Sequence, residues 1–538
     1  MNRFALAVCV AAIAFSPSSA TAVPPVVTYL YPAGAQRGTT AEITAGGTFD
    51  TWPVNVWVSG TGANVVAGKD KGKFAVTVAK DATPGVYWLR AHNPDGASVL
   101  RAFFVGVLPE IMEKEPNDDV KKPQVLDSTS VLVNGRLEKP GDVDCFAVML
   151  KKGQTLVASL EANRILKSPM DAILQVVSPD GFVLDENHDY HGLDPQLAFT
   201  ATKDGTYIVR LFAFPSMPDS SIRFFGSEAC VYRLTLATMA FVDFALPLAV
   251  SNDGPRKVEL LGWNAPGELP IAPLAASQFT TLTGPNLANV VRVRNEPHPA
   301  FDRDQEGVLK PPFSVTKRII ISGISAVVEF EGKKGQSLSL EVQSRTLGLG
   351  VNPVVRILDK DKKPLARAEQ TTPTGDTALS FTPLADGVYR ILVNDLYGKG
   401  GEFRDYFLLR VLLQEPDYEL SVAADRFTVV PGPAGKQTIP VKITRKNGFT
   451  AAVDIVGEGL PEGVKLEVIP AAKPDPGTVM VTLTAEKPVS GAFRLVGKVK
   501  DDPKRTRVAR VVVPDSDEST TDLWLTATAN PPLATKKP

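Results

Sequence analysis

Residues 73–96 read KFAVTVAKDATPGVYWLRAHNPDG, and their pattern decides the fold class. Phe74, Val76 and Val78 alternate with Lys73, Ala75 and Thr77, the period of a strand buried on one face. Asp81 to Gly85 supplies a turn, Val86-Tyr87-Trp88-Leu89-Arg90 a second strand, and Asn93-Pro94-Asp95-Gly96 a further turn. This texture of short alternating runs and frequent turn signals continues to about residue 513, and helical periodicity is nearly absent. The expectation is an all-β chain of tandem β-sandwich domains, immunoglobulin-like and jelly-roll-like.

The 538 residues suffice for several such domains. Pro-rich and acidic junctions divide them into 23–109, 110–238, a connecting β segment 239–289, then 290–414, 415–513 and a C-terminal tail 514–538. An internal repeat ties two of these units together. Lys152-Gly153-Gln154-Thr155-Leu156 recurs as Lys334-Gly335-Gln336-Ser337-Leu338, Phe199-Thr200 as Phe381-Thr382, and Asp204-Gly205-Thr206-Tyr207 as Asp386-Gly387-Val388-Tyr389. Each pair is separated by 182 positions, so 290–414 reads as a second copy of 110–238.

Residues 1–22 read as a signal peptide. Arg3 precedes an apolar run from Ala5 to Phe15, and Ala20-Thr21-Ala22 offers a small-residue cleavage site. The run is too short to span a bilayer, and no later stretch reaches that length, so no membrane insertion is expected. The expected location is secreted or periplasmic, or associated with the cell surface. Lys and Arg number 58 against 59 Asp and Glu, which gives no electrostatic reason to expect nucleic acid as a partner. Cys145 and Cys230 would remain after cleavage. Strand parity puts Cys145 opposite Phe146 and Val148, and Cys230 with Tyr232 and Leu234 on the core face, which favours two unlinked thiols.

The order Tyr31-Pro32-Ala33-Gly34, Gly46-Gly47, Pro84-Gly85-Val86-Tyr87 and Gly96 resembles an immunoglobulin-like domain of the TIG type. The repeated unit carries Glu115-Pro116-Asn117-Asp118, Gly135-Arg136-Leu137, Gly141-Asp142-Val143-Asp144-Cys145-Phe146, Lys152-Gly153-Gln154 and Asp204-Gly205-Thr206-Tyr207. In that order it resembles the bacterial pre-peptidase C-terminal (PPC) domain, a β-sandwich attached to many secreted peptidases. The combination is similar to multi-domain secreted proteins of planctomycete-type bacteria.

That family includes the collagen-binding domains of clostridial collagenases. The resemblance implies a calcium ion between an acidic segment and an Asp-bearing strand start. The matching residues are Glu113, Glu115, Asn117 and Asp118, with Asp142 and Asp144 on the strand. Five carboxylates and an amide form a hard oxygen set suited to calcium, and without a cation they repel one another. In the second copy Asp142 and Asp144 become Ile324 and Ala326, and Asn295-Glu296-Pro297-His298-Pro299 stands where the acidic segment was. Calcium is therefore expected in the first copy only.

His188-Asp189-Tyr190-His191 lies in a polar loop and reads as solvated rather than metal-binding, since transition-metal sites need further ligands. Phe212, Phe214, Phe224 and Phe225 bracket a Pro/Ser-rich insertion and read as core closure beneath a long hairpin. Catalytic and nucleotide-binding motifs are missing. The expected role is a non-catalytic binding, adhesion or structural scaffold toward an extracellular polysaccharide, protein or matrix ligand. Two other readings stay open: an accessory or stabilising subunit of a secreted peptidase, and an unrecognised hydrolase.

Overall fold

The computed structural model describes residues 23–217, 223–252, 254, 257–265, 267–272, 278–370, 372, 375–433, 435–469, 477–514, 516 and 518–529. The expected signal peptide lies outside the described residues. Strands dominate, and among the described residues the helical content is one 3-10 turn, Arg345–Leu347.

The chain forms five successive β-sandwiches, as the alternation demands. In the strand Lys73–Val78, Phe74, Val76 and Val78 are at most 2 % exposed while Lys73 and Thr77 face solvent. The first sandwich pairs a sheet built on Val26–Tyr31, Thr40–Thr48, Lys73–Val78 and Ala63–Ala67 with one built on Gly34–Gln36, Arg101–Gly106, Gly85–Asn93 and Asn55–Val58. Ile43, Phe74, Val76, Leu89 and Phe103 meet between them; burying each such side chain stabilises by about 1.5–3 kcal/mol.

The second sandwich has two five-stranded sheets. One runs Glu110–Met112, Ser130–Arg136, Val231–Ala237, Thr155–Glu161, Gln196–Thr200. The other runs Gln124–Val125, Asp144–Leu150, Gly205–Pro215, Met170–Val177, Val183–Asn187. The fourth sandwich repeats this order from Ala300–Phe301 to Tyr406–Leu413. The recurring motifs do the same job in both. Asp204 Oδ1 accepts the Lys152 N–H at 2.8 Å, and Asp386 Oδ1 the Lys334 N–H at 2.7 Å. Gly153 and Gly335 turn with φ of 81° and 77°, a conformation that excludes a Cβ cheaply only at glycine. Tyr207 and Tyr389 each donate to a carbonyl four residues back, at 3.0 and 2.8 Å.

Two boundaries differ from the sequence reading. The segment 239–289 is no mere connector: Phe241–Leu246, Lys257–Trp263 and Glu268–Pro270 face Ala249–Ser251, Val291–Glu296 and Phe279–Leu282 across a core of Val242, Val258, Leu260, Leu282 and Val293. Its short strands and interrupting Pro and Gly hid the alternation. The tail expected from residue 514 contains a core strand, Leu523–Ala527, paired with Arg426–Val429 and Val489–Val499. Leu523, Trp524 and Leu525 are at most 2 % exposed, so the fifth sandwich is incomplete without them.

The first and fifth sandwiches touch. Arg90 Nη2 donates to Asp425 Oδ2 at 2.6 Å with both side chains at most 5 % exposed. Arg426 Nη1 donates to the Ala97 carbonyl at 2.8 Å, and the Trp524 ring packs against His92 and Trp57. Removing one partner of such a pair strands a buried charge. Asp425→Ala is expected to cost roughly 3–5 kcal/mol, largely recovered in Arg90→Met/Asp425→Leu. Thermal unfolding and small-angle scattering check this: the single variant opens the contact and the double does not. Identical curves for both variants would remove the pair from the account.

Candidate metal centre

Asp142 and Asp144 open the strand Asp144–Leu150, and the sheet buries both completely. Gly141, with φ of 91°, makes the turn that brings Asp142 back over the strand end, where its Oδ2 accepts the Glu138 N–H. The segment after Glu110–Met112 crosses this end, fixed by the Cys145 N–H donating to the Asn117 carbonyl at 3.1 Å. Glu115, Asp142 and Asp144 thereby each place an oxygen within 4.8 Å of the others.

The six sequence candidates take different places around the centre. Glu115, Asp142 and Asp144 form the cage. Asn117 is 1 % exposed, and its Oδ1 and Nδ2 lack partners, as do Asp142 Oδ1 and Asp144 Oδ1. Asp118 stands near enough to Asp142 for its charge to raise that carboxyl. Glu113 stands behind the cage: its Oε1 accepts from the Arg136 N–H at 2.8 Å and the Tyr31 hydroxyl at 3.1 Å, and its Oε2 from the Tyr232 hydroxyl at 2.8 Å.

Tyr232, Gly135 and Tyr31 stand outside the site residues that the sequence offers, Gly135 and Tyr31 entering there only as fold motifs. Tyr232 shares the core face with Leu234, so alternation alone makes it packing. Its hydroxyl also lies 2.7 Å from Asp144 Oδ2, and it joins Glu113 to Asp144. A buried tyrosine needs a hydroxyl partner, and that was the available signal. Gly135 gives the strand room to pass: a Cβ there would lie 2.2 Å from both Glu113 Oε2 and the Tyr232 hydroxyl. Tyr31 comes from the first sandwich, so the centre sits on the junction.

Burial pushes the Asp142 carboxyl up to about 6, helped by Asp118 and Glu115 and opposed by the Glu138 N–H. Burial raises Glu113 to about 7 against its hydrogen bonds. Burial, then the Glu113 charge, drives Asp144 well above the carboxylate range. Unpartnered buried oxygens, all hard donors, are what a divalent cation would satisfy. Calcium would suit this donor set, with Glu115, Asp142, Asp144 and the Asn117 amide oxygen as the groups that would hold it and Glu113 with Tyr232 placed to orient Asp144.

The other constellations resolve as contacts. Tyr190 donates to Asp243 Oδ2 at 3.1 Å, stacks edge-on with His191, and carries the Arg404 guanidinium 4.2 Å from its ring centroid. Tyr190 and His191 therefore belong to a joint between the second, third and fourth sandwiches, while His188 and Asp189 stay exposed, as the solvated reading expects. Phe212, Phe214 and Phe224 pack ring to ring, and Phe225 packs on the core; residues 218–222 of the insertion lie outside the described residues. Cys145 and Cys230 are free and buried.

Residues 142–213 match the profile of the bacterial pre-peptidase C-terminal domain. The matched span lies wholly in the second sandwich, including Asp142 and Asp144 and leaving the acidic segment outside. No curated protein matches the chain. Solved structures with similarity include the fibronectin(III)-like modules of CbhA from Clostridium thermocellum, 13 % identical over 39 % of this chain and 100 % of theirs, with a TM-score of 0.14. SGBP-B of the mixed-linkage glucan utilization locus of Bacteroides ovatus is 10 % identical over 71 % of this chain and 72 % of its own, TM-score 0.14. The S-layer protein rSbsC(31-844) is 11 % identical over 95 % of this chain and 55 % of its own, TM-score 0.15.

The raised carboxyls set a pH dependence. Their folded values exceed the unfolded value of about 4, so between about pH 4 and 7 the folded state binds more protons and loses stability as pH rises. In chelator, the second sandwich is expected to melt lower at pH 7 than at pH 5, with a shallower slope in Asp142→Asn. Melting that rises over this interval would contradict the burial-driven shifts.

Proposed function

We propose that the chain is an exported, non-catalytic binding scaffold in which calcium locks the first sandwich to the second. The observation that carries the calcium reading is the set of three unpartnered buried oxygens, Asn117 Oδ1, Asp142 Oδ1 and Asp144 Oδ1, at that junction. A cation there neutralises carboxylates that otherwise repel, and Glu113 relays the order to Tyr31 of the first sandwich. The fourth sandwich belongs to the same domain type as the second, and the first is of the TIG type. The partner is an extracellular polysaccharide, protein or matrix ligand.

The larger open cavities support binding over turnover. The one beside Phe403, about 610 Å³, includes charges that already have partners, such as Arg303 on Glu259 at 2.8 Å and Lys317 on the Arg303 carbonyl at 2.8 Å. The one on its other side, about 760 Å³, includes Arg404, ion-paired to Asp243, and Asp405, which accepts the Glu402 N–H at 2.8 Å.

With a dissociation constant of ~10⁻⁴ M, usual for extracellular modules, ~10 mM calcium stabilises the junction by about 2.7 kcal/mol. Calcium is expected to raise the melting temperature and chelator to lower it, with both effects lost in Asp142→Ala and Asp144→Ala. A transition indifferent to calcium, chelator and both substitutions would falsify the metal reading. For the scaffold, labelled protein is expected to be retained on whole cells or matrix polymers without releasing product. Turnover abolished by a single carboxylate substitution would establish a hydrolase instead.

A further inference from the structure

Strand register aligns the fourth sandwich with the second residue by residue. Gly135 lies opposite Tyr232, and Lys317 lies opposite Phe407. Val133 and Val315 occupy the same place one pleat earlier, each fully buried. Asp144 pairs with Leu211 and Ala326 with Val393 in the matching sheet. The crossing segments also correspond, because Ile111 pairs with Val133 and Phe301 with Val315.

That register corrects the sequence alignment. The counterpart of the acidic segment is not Asn295–Pro299, since Val291–Glu296 belongs to the third sandwich. It is Asp302–Gly307, between the strands Ala300–Phe301 and Val308–Leu309. Ile111 and Phe301 share one place and Val125 and Val308 the next, fourteen positions on in the second sandwich and seven in the fourth, so the fourth has lost seven residues, including any counterpart of the Asn117-Asp118 pair. The hydroxyl of Tyr232 is gone at Phe407, and the Glu113 position is Arg303, turned outward to Glu259.

The Glu113 carboxylate and the Tyr232 hydroxyl that crowd Gly135 thus have no counterparts in the fourth sandwich, where the buried Phe407 keeps only the ring, and a lysine grows from the glycine's position. Lys317 follows Phe313 and Val315 on the core-facing side of its strand, a place where lysine needs compensation. Its Nζ donates to the carbonyls of Arg303 at 2.8 Å and Gln305 at 2.6 Å. Asp304, Glu306 and Asp302 surround it with negative charge, which opposes the downward pull of burial on its pKa.

We propose that the fourth sandwich carries its own tethered cation: the Lys317 ammonium clamps the Asp302–Gly307 crossing to the sheet where the second sandwich uses calcium. One framework thereby holds its crossing segment by a dissociable ion in one place and by a covalent one in the other. Calcium withdrawal loosens the junction of the first and second sandwiches while the fourth keeps its shape. This rests on the calcium reading for the contrast, and the clamp itself stands on the lysine's geometry.

Hydrogen–deuterium exchange on the full chain, in chelator and in calcium chloride, tests it. In the unsubstituted protein calcium is expected to slow exchange in 110–150 and leave 300–332 unchanged. Lys317→Met is expected to speed exchange in 300–309 roughly tenfold or more in both conditions, the size of losing hydrogen bonds from a charged donor. Lys317→Arg retains most of the protection. Unchanged exchange in 300–309 for Lys317→Met, or calcium protection of that segment in the unsubstituted chain, would overturn the clamp. If calcium affects neither sandwich while Lys317→Met still loosens 300–309, the clamp stands and the calcium reading alone fails.

Discussion

A carboxylate removed from water must find a proton, a donor or a cation, and Asp142 and Asp144 are fully buried with one oxygen each unpartnered. Much of the second sandwich is arranged around that constraint. Glu138 gives Asp142 a backbone donor, Tyr232 bridges Asp144 to Glu113, and Gly135 leaves the volume for both. The same network leaves the domain through Tyr31, whose ring lies beneath the Arg136 guanidinium at 4.8 Å. An electrostatic demand at one strand start thus becomes the geometry of a junction.

The framework shared by the second and fourth sandwiches shows which residues serve the fold and which serve the centre. The turn at Gly153 and Gly335, the aspartates that cap it, and the Thr155–Thr200 and Ser337–Thr382 hydroxyl pairs at 2.8 Å recur without change of role. Asp142, Asp144, Tyr232 and Glu113 change together, to Ile324, Ala326, Phe407 and Arg303. Replacing one alone would strand a buried charge or hydroxyl, at a cost larger than most single substitutions carry. Coordinated change is the physically inexpensive route.

The fold class was legible because alternation is local: Phe74, Val76 and Val78 announce their face without reference to anything distant. The aspartates were legible through a motif that places them at a strand start. What stayed hidden depends on contacts made far along the chain. Tyr232 reads as core until Glu113, 119 positions earlier, is seen at its hydroxyl. Tyr190 and His191 read as a solvated loop until Asp243 and Arg404 arrive from other sandwiches. Leu523–Ala527 reads as part of a tail because its partners start at Arg426 and Val489. The repeat offset misled at one point only, where the shortened crossing moved Asp302–Gly307 out of step with Asn117.

The sandwich junctions share a chemistry that bears on what a scaffold must do. Arg90 meets Asp425 between the first and fifth, Arg404 meets Asp243 and Arg410 meets Glu296 between the fourth and third, and Arg233 holds Glu110 against Phe104 of the first. At Glu296 burial raises the carboxyl, yet the Arg410 bond and the Arg294 charge outweigh it and hold it below its ordinary range. Buried pairs of this kind contribute little net stability over apolar contacts, because desolvation offsets the attraction. Their planar forks fix orientation instead. Apolar patches would let neighbouring sandwiches slide or rock, whereas a guanidinium matched to one carboxylate tolerates a single arrangement. Presenting loops at set angles requires that selectivity at every joint, and where the first two sandwiches meet the Tyr31 and Tyr232 hydroxyls, both on Glu113, supply part of it.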